Sequence, residues 1–370
     1  MDKMLGILNI ESPIVKVDGI GDFRPVSAAS FLGRYRILDF MLSNMTNSKI
    51  NNIELYVKDR PRSTVEHVTR SSYNMNTKHG SIYILGGEKH YSNEIYNTDI
   101  ANFEANMRCI EESNEPYVLI APSYWIYTQD FYKMLKYHVE SKNDITVLYK
   151  NVNTAKDEFI MCDTLDIDDN NRVVNIEKNR GRYKNRNISL EAYIMSRELF
   201  FKLIEDARKT SALYWLNDII ADEIGDLKVG VYQHHGFVTC INSLKAYFQA
   251  NLLILKDNNL QSLTADSWPI YTKFNDDCPT MYSEETDIQN SIVANGSHIE
   301  GKVLNSIIGR NVRIKKGAVL KNCVVLPNAY IGENAVLENA IVDRYASVVK
   351  VKKLKGNIDN PVYVKRGDRV

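Results

Sequence analysis

Between residues 308 and 348 the aliphatic side chains return every sixth position. Val312, Ala318, Val324, Tyr330, Val336, Val342 and Val348 form one series, and Ile308, Ile314, Leu320 and Leu326 a second. Small and polar residues fill the gaps, as in Gly309-Arg310-Asn311 and Gly332-Glu333-Asn334. A period of six fits neither the 3.6 of an amphipathic helix nor the alternation of a half-buried strand. It fits a coil in which each repeat forms one short side and the aliphatic residues stack inside. The spacing therefore predicts a left-handed parallel β-helix of hexapeptide repeats over 291–370. The open ends of such a coil are stacking surfaces, so an oligomer is predicted.

The preceding residues follow a different rule. Strand-like runs at Met4–Leu8, Ile53–Val57, Ser81–Leu85 (ended by Gly86-Gly87), Asp144–Lys150 and Val229–His234 alternate with helical patterns. Ile100, Phe103, Met107 and Ile110 carry one helical face, and Arg197–Ala207 reads as another helix. Tyr117-Val118-Leu119-Ile120 is continuously apolar, as a strand covered on both faces would be. Met161–Ile167 and Arg172–Ile176 read as a hairpin whose polar turn holds Asp168 and Asp169. This alternation predicts an α/β domain with a mostly parallel sheet over 1–255, and a proline-punctuated linker over 256–290.

Lysine plus arginine equals aspartate plus glutamate, at 46 each, which gives no electrostatic case for nucleic acid or an anionic membrane. No apolar run is long enough to span a bilayer. Cys109, Cys162, Cys240, Cys278 and Cys323 are widely spaced, without a C-x-x-C pair. That fits a reducing cytoplasm and speaks against zinc. His234-His235 lacks an E-x-x-H context and reads as structural.

Arg34-Tyr35-Arg36-Ile37-Leu38-Asp39-Phe40, followed by Leu42-Ser43-Asn44, opens a helix with Ile37, Phe40 and Met41 on its apolar face. This run resembles the N-terminal region of the bacterial ADP-glucose pyrophosphorylases (glucose-1-phosphate adenylyltransferases). Glu177-Lys178, the segment from Gly236 to Leu252 with Ala246-Tyr247 and Ala250-Asn251, and Trp268-Pro269-Ile270-Tyr271 extend the resemblance. It implies a Rossmann-like nucleotidyltransferase domain ahead of the β-helix. In active members a glycine-rich loop after the first strand cradles phosphate, and two aspartates hold magnesium.

Those three pieces differ here. Asn9-Ile10-Glu11-Ser12-Pro13 follows the first strand, and the glycines come later, in Asp18-Gly19-Ile20-Gly21-Asp22, which reads as an ordinary turn. Alignment places Tyr124, in Ser123-Tyr124-Trp125-Ile126-Tyr127, and Cys240 on the two aspartate positions. A neutral phenol and a soft thiol are poor ligands for a hard cation. The resemblance therefore implies a non-catalytic subunit that assembles with the catalytic ADP-glucose pyrophosphorylase subunit, as a heterotetramer, and activates it. No catalytic residue, metal or cofactor is expected. Lys178, beside Glu177, matches the sugar-phosphate lysine, with Arg180, Arg182, Lys184 and Arg186 behind it. Arg34 and Arg36 are the other candidates for binding a sugar-phosphate effector. Two further readings are an active sugar nucleotidyltransferase with displaced ligands at Asp130 or Asp99, and a sugar-phosphate sensor. Asp130 otherwise caps the helix from Phe131.

Overall fold

The computed structural model describes residues 3–370 apart from 11, 13, 16, 58–59, 76–79, 87–97 and 257–258. Glu11 and Pro13 after the first strand, and Gly87, therefore lie outside the described residues.

Nine strands build the sheet of the N-terminal domain: β1 (Met4–Asn9), β2 (Asn52–Val57), β3 (Ser81–Gly86), β4 (Tyr117–Pro122), β5 (Ile145–Val152), β6 (Asp163–Ile167), β7 (Val173–Lys178), β8 (Arg186–Ser196) and β9 (Val229–Gln233). Their order is β7-β6-β8-β4-β1-β2-β3, with β5 also on β8 and β9 on β5. β3, β2, β1 and β4 run parallel, as do β5 and β9; β8 runs antiparallel between them. The apolar β4 lies at the centre, between β1 and β8. Helix α1 (Ile37–Asn47) and the helix Phe131–Ser141 pack their Met41, Met45, Met134 and Leu135 on one face of the sheet. Phe103, Phe200, Leu203 and Ile219 cover the other.

The helical face through Ile100 and Ile110 is broken into Asp99–Ala105 and Met107–Glu112. Asn106 sits at the break, and its amide donates to Asn102 O at 3.0 Å and Gly86 O at 3.4 Å. A side chain bonded to nearby carbonyls competes with the helix ladder.

The C-terminal strands form the parallel coil, which begins at Met281–Tyr282, inside the stretch read from sequence as linker. His298 pairs with Arg313, fifteen residues on, and Arg313 with Tyr330, seventeen on. A coil of seventeen is one short of three sixes, so the six-residue frame slips at every turn. Ile314, Leu320 and Val342 point inside as the period predicts, but Val336 is 36% exposed and Tyr330 half-buried. Ile331 and Leu337 take the inner places, stacked on Ile314 and Leu320. Asn290, Asn305, Asn322 and Asn339 turn successive corners with φ of 43–51°. Each amide donates to the next side-chain oxygen, at 2.8, 2.6 and 3.0 Å, and Asn339 ends the ladder on Gly356 O at 3.1 Å. Asparagine tolerates this left-handed backbone better than other side chains do.

A continuous apolar seam joins coil and sheet domain: Phe31, Phe40, Tyr247 and Phe248 pack against Ile307, Val324, Leu326 and Ile341. Gly33, at φ 75°, lies so near the coil that a Cβ would sit 2.8 Å from Ile308 O. At Gly19 the backbone has φ 79° and packs on the ring of Tyr363, which gives this turn glycine its physical reason. In the same seam Arg24 Nη2 meets both oxygens of Asp343, at 2.7 and 3.0 Å, with both side chains buried. Tyr363 donates its hydroxyl to Asp343 Oδ2 at 2.5 Å. Asp343→Ala strands the Arg24 charge in the seam and should lower the unfolding free energy by about 3–5 kcal/mol. Tyr363→Phe should cost only about 1 kcal/mol. Denaturant titration of the two variants measures the difference.

Candidate functional site

Residues of the opening motif anchor the fold. Asp39 accepts from Arg36 N at 2.9 Å, His67 Nε2 at 2.7 Å and Tyr73 OH at 3.0 Å. Asn44 donates to Tyr127 O and accepts from Gln129 N and Trp268 Nε1 at 3.1 and 2.9 Å. Ser43 Oγ accepts from Tyr271 N at 2.8 Å. Asn251 performs the same task from the far end of the chain, accepting from Leu32 N at 3.1 Å. These bonds tie α1 to the loop after β4 and to the linker.

Ligands of open α/β sheets bind beyond the carboxyl ends of the parallel strands. A cavity of about 40 Å³ lies there, between Asn9, Pro122, Tyr124, Lys178, Glu191 and Asn217, with Asp99 also in its wall. Next to Tyr124 a two-stranded ribbon sets Trp125–Ile126 against Thr239–Cys240, in which Cys240 pairs with Trp125. Ile241 N donates to Tyr124 O at 2.9 Å. Tyr124 and Cys240, more than a hundred residues apart in sequence, are thereby brought together.

Tyr124 is committed to another partner. Its buried hydroxyl donates to Oε2 of the half-buried Glu191 at 2.6 Å. Burial pushes the phenol well above its ordinary value. Burial, reinforced by the Asp163 carboxylate, pushes Glu191 up to about 7. The Cys240 thiol is likewise raised, by burial and by its neighbour Cys162. Asp99 accepts from Ile100 N at 2.8 Å and Leu216 N at 3.0 Å, and burial lifts it to about 7. Asp130 caps its helix, accepting from Tyr132 N and Lys133 N at 3.0 and 3.3 Å. Among the described residues no group of three acidic, histidine or cysteine side chains could hold a metal ion. The magnesium implied by the resemblance does not fit a phenol locked to a carboxyl beside a buried thiol.

Lys178, at the end of β7, reaches the cavity with Nζ 2.6 Å from Asp163 Oδ1. Burial pulls its ammonium down, but the Asp163 carboxylate outweighs it and leaves the group raised. Glu177 points to the opposite side, where it is paired with Arg186. Arg180, Arg182 and Arg186, with Glu177 and Lys178, line another cavity of about 300 Å³, where Tyr183 is stacked on Arg186 at 4.5 Å.

Arg34 and Arg36 lie elsewhere. They line a cavity of about 130 Å³ in the cleft between the sheet domain and the coil, with His67, Lys273, Arg310 and Arg344. Arg36 Nη1 donates to Ala28 O at 2.9 Å and Ser63 O at 3.3 Å. Burial, and then Arg344, lower Arg36 to about 10, and burial followed by Arg34 lowers Arg310. Cations that depress one another around a cavity favour an anion there. Lys273, Arg310 and Arg344 carry no local signal in the sequence: Arg310 sits among the polar gap-fillers of the repeat, and only the seam brings it to Arg34.

The family models agree with this architecture. Residues 24–215 match that of the nucleotidyl transferases and residues 273–356 that of the GlmU-like C-terminal hexapeptide. The chain belongs to the nucleotidyl transferase family. Within it, the chain is similar to two proteins named glycogen biosynthesis protein GlgD. One, from Geobacillus stearothermophilus, is 30% identical over 321 residues, covering 86% of this chain and 83% of the relative. The other, from Bacillus subtilis, is 26% identical over 372 residues, covering 99% and 96%. The glucose-1-phosphate adenylyltransferase of Bacillus cytotoxicus is 27% identical over 323 residues, covering 85% of each chain. No described helix is long and apolar enough to cross a membrane.

Glu191, Asp99 and the buried Glu54 of β2 all hold their protons up to about pH 7 in the folded chain. The unfolded chain releases them near 4. Their stabilising contribution is full below the unfolded values and is lost as pH rises through the folded ones. Unfolding free energy should therefore fall between about pH 4.5 and 7.5. Glu191→Gln should flatten part of that slope, which denaturant unfolding at stepped pH reads directly.

Proposed function

We propose that this chain is a non-catalytic, regulatory subunit of glucose-1-phosphate adenylyltransferase in glycogen biosynthesis. On this reading it assembles with the catalytic subunit in the cytoplasm, as a heterotetramer, and raises its activity. The observation that carries it is the Tyr124–Glu191 bond at 2.6 Å beside Cys240. Adenylyl transfer from ATP needs divalent cation to neutralise charge at the phosphates. Here the two positions that the resemblance assigns to that cation hold a phenol and a thiol. Similarity to both GlgD and adenylyltransferase chains over most of their length supports the assignment to this system. Displaced ligands are a poorer explanation, because Asp99 and Asp130 already accept backbone N–H groups.

The purified chain should make no ADP-glucose from ATP, magnesium and glucose 1-phosphate. Mixed with its catalytic partner, it should co-elute and increase that partner's turnover. Turnover by the isolated chain at the rate of a catalytic subunit would defeat the proposal. Restoring Tyr124→Asp with Cys240→Asp should not give activity, since the phosphate cradle is also replaced.

A sensing role within the same subunit is favoured by the cationic cleft at Arg34 and Arg36, whose cations suit a sugar-phosphate effector. Such an effector should raise the melting temperature of the chain, and Arg310→Ala should weaken its binding at least tenfold. Equal binding by the wild type and that variant, measured by calorimetry, would place the effector elsewhere.

A further inference from the structure

Strand register puts Asp163 directly opposite Lys178: β6 and β7 are antiparallel, and these two residues are Cα partners at the cavity end of the hairpin. The ion pair is therefore a cross-strand pair, set by the backbone. Asp163 Oδ1 takes the Lys178 ammonium at 2.6 Å, and Asn217 Nδ2 donates to Oδ2 at 2.9 Å. Both oxygens are thus held, from two different elements, and the side chain is buried. Lys178 is the one cation among the described residues lining the cavity. Its charge is already neutralised, while Glu191 and Asp99 add two more carboxyls to the walls. Unfilled space of about 40 Å³ has room for a few water molecules.

We infer that Asp163 is the residue that closes this cavity to sugar phosphates, its carboxylate standing on Lys178 where a phosphate would otherwise stand. A phosphate and a carboxylate seek the same partner, a cationic N–H donor set. An incoming phosphate would have to displace a carboxylate that cannot leave, because the β6–β7 register and Asn217 hold it. The same pair braces β7, β6 and the helix Leu216–Asp222 against one another, contacts a bound ligand would make in an open site. The inference does not depend on which partner the chain assembles with. It leaves the cleft at Arg34 and Arg36, and the cavity lined by Arg180, Arg182 and Arg186, open to an anionic effector.

The test compares wild type, Lys178→Ala, Asp163→Ala and the Asp163→Ala/Lys178→Ala double variant, each titrated calorimetrically with inorganic phosphate and with glucose 1-phosphate. Any signal from the interdomain cleft is common to all four. Wild type should show no binding that depends on Lys178. Asp163→Ala should bind phosphate at least tenfold more tightly, and the double variant should lose that gain. Amine acetylation followed by mass spectrometry gives a readout at the residue itself. Lys178 should be protected in wild type, modified in Asp163→Ala, and protected again by phosphate. Should Asp163→Ala not fold, the isosteric Asp163→Asn, which keeps the shape and removes the charge, carries the same comparison. The inference is overturned if wild type binds glucose 1-phosphate in a manner lost on Lys178→Ala, or if a folded Asp163 variant gains no Lys178-dependent phosphate binding. Neither outcome would touch the regulatory assignment, which is judged on the partner's turnover.

Discussion

The buried ion pair of Arg24 with Asp343 is the hinge of this structure. Taken out of water, a guanidinium and a carboxylate hold each other by charge, and here Arg24 Nη2, on both carboxylate oxygens, and the Tyr363 hydroxyl satisfy Asp343, while Arg24 Nε and Nη1 are buried without a hydrogen-bond partner. The pair fixes how the coil meets the sheet domain, because it tolerates little sliding. Apolar packing around it, from Phe31 and Tyr247 to Leu326 and Ile341, supplies area but less orientation. Arg344, next in the chain after Asp343, is thereby placed in the cationic cleft with Arg36. The cleft is thus a by-product of the seam, and a change in the angle of the seam would change the spacing of its charges.

The cavity beyond β1 and β4 follows a different logic. Three groups a ligand would need are already engaged from within the chain: Tyr124 by Glu191, Lys178 by Asp163, Asp99 by two backbone N–H groups. A site satisfied in this way retains the packing of its elements without a substrate. The framework residues Asp39, Asn44 and Asn251 hold it with anchoring bonds of their own.

Much of this was legible in the sequence, for identifiable reasons. The apolar run at Tyr117–Ile120 could only be a central strand, and it is. The six-residue period announced the coil, yet it assigned Tyr330 and Val336 to the interior. Turns of seventeen residues shift the frame, and a strict period cannot record that slip. Arg34 and Arg36 were visible as a cluster, but the cluster's role was not. Its other cations come from residues 273, 310 and 344 and share no local pattern with it. The interest of Lys178 was visible, and that of Asp163 was not, since an aspartate opening a strand has no signature of its own.

Sequence alone determined the two architectures, because hydrophobic spacing is a local property that dictates which backbone period can bury its apolar face. It also determined that a phenol and a thiol, not carboxylates, stand at positions 124 and 240. Only the tertiary structure decided what those groups touch. Whether Tyr124 meets Glu191, whether Asp163 stands on Lys178, and whether Arg310 faces Arg34 depend on register and on the meeting of two domains. Electrostatic interaction is set by distance and burial, and neither is written in the order of residues along the chain.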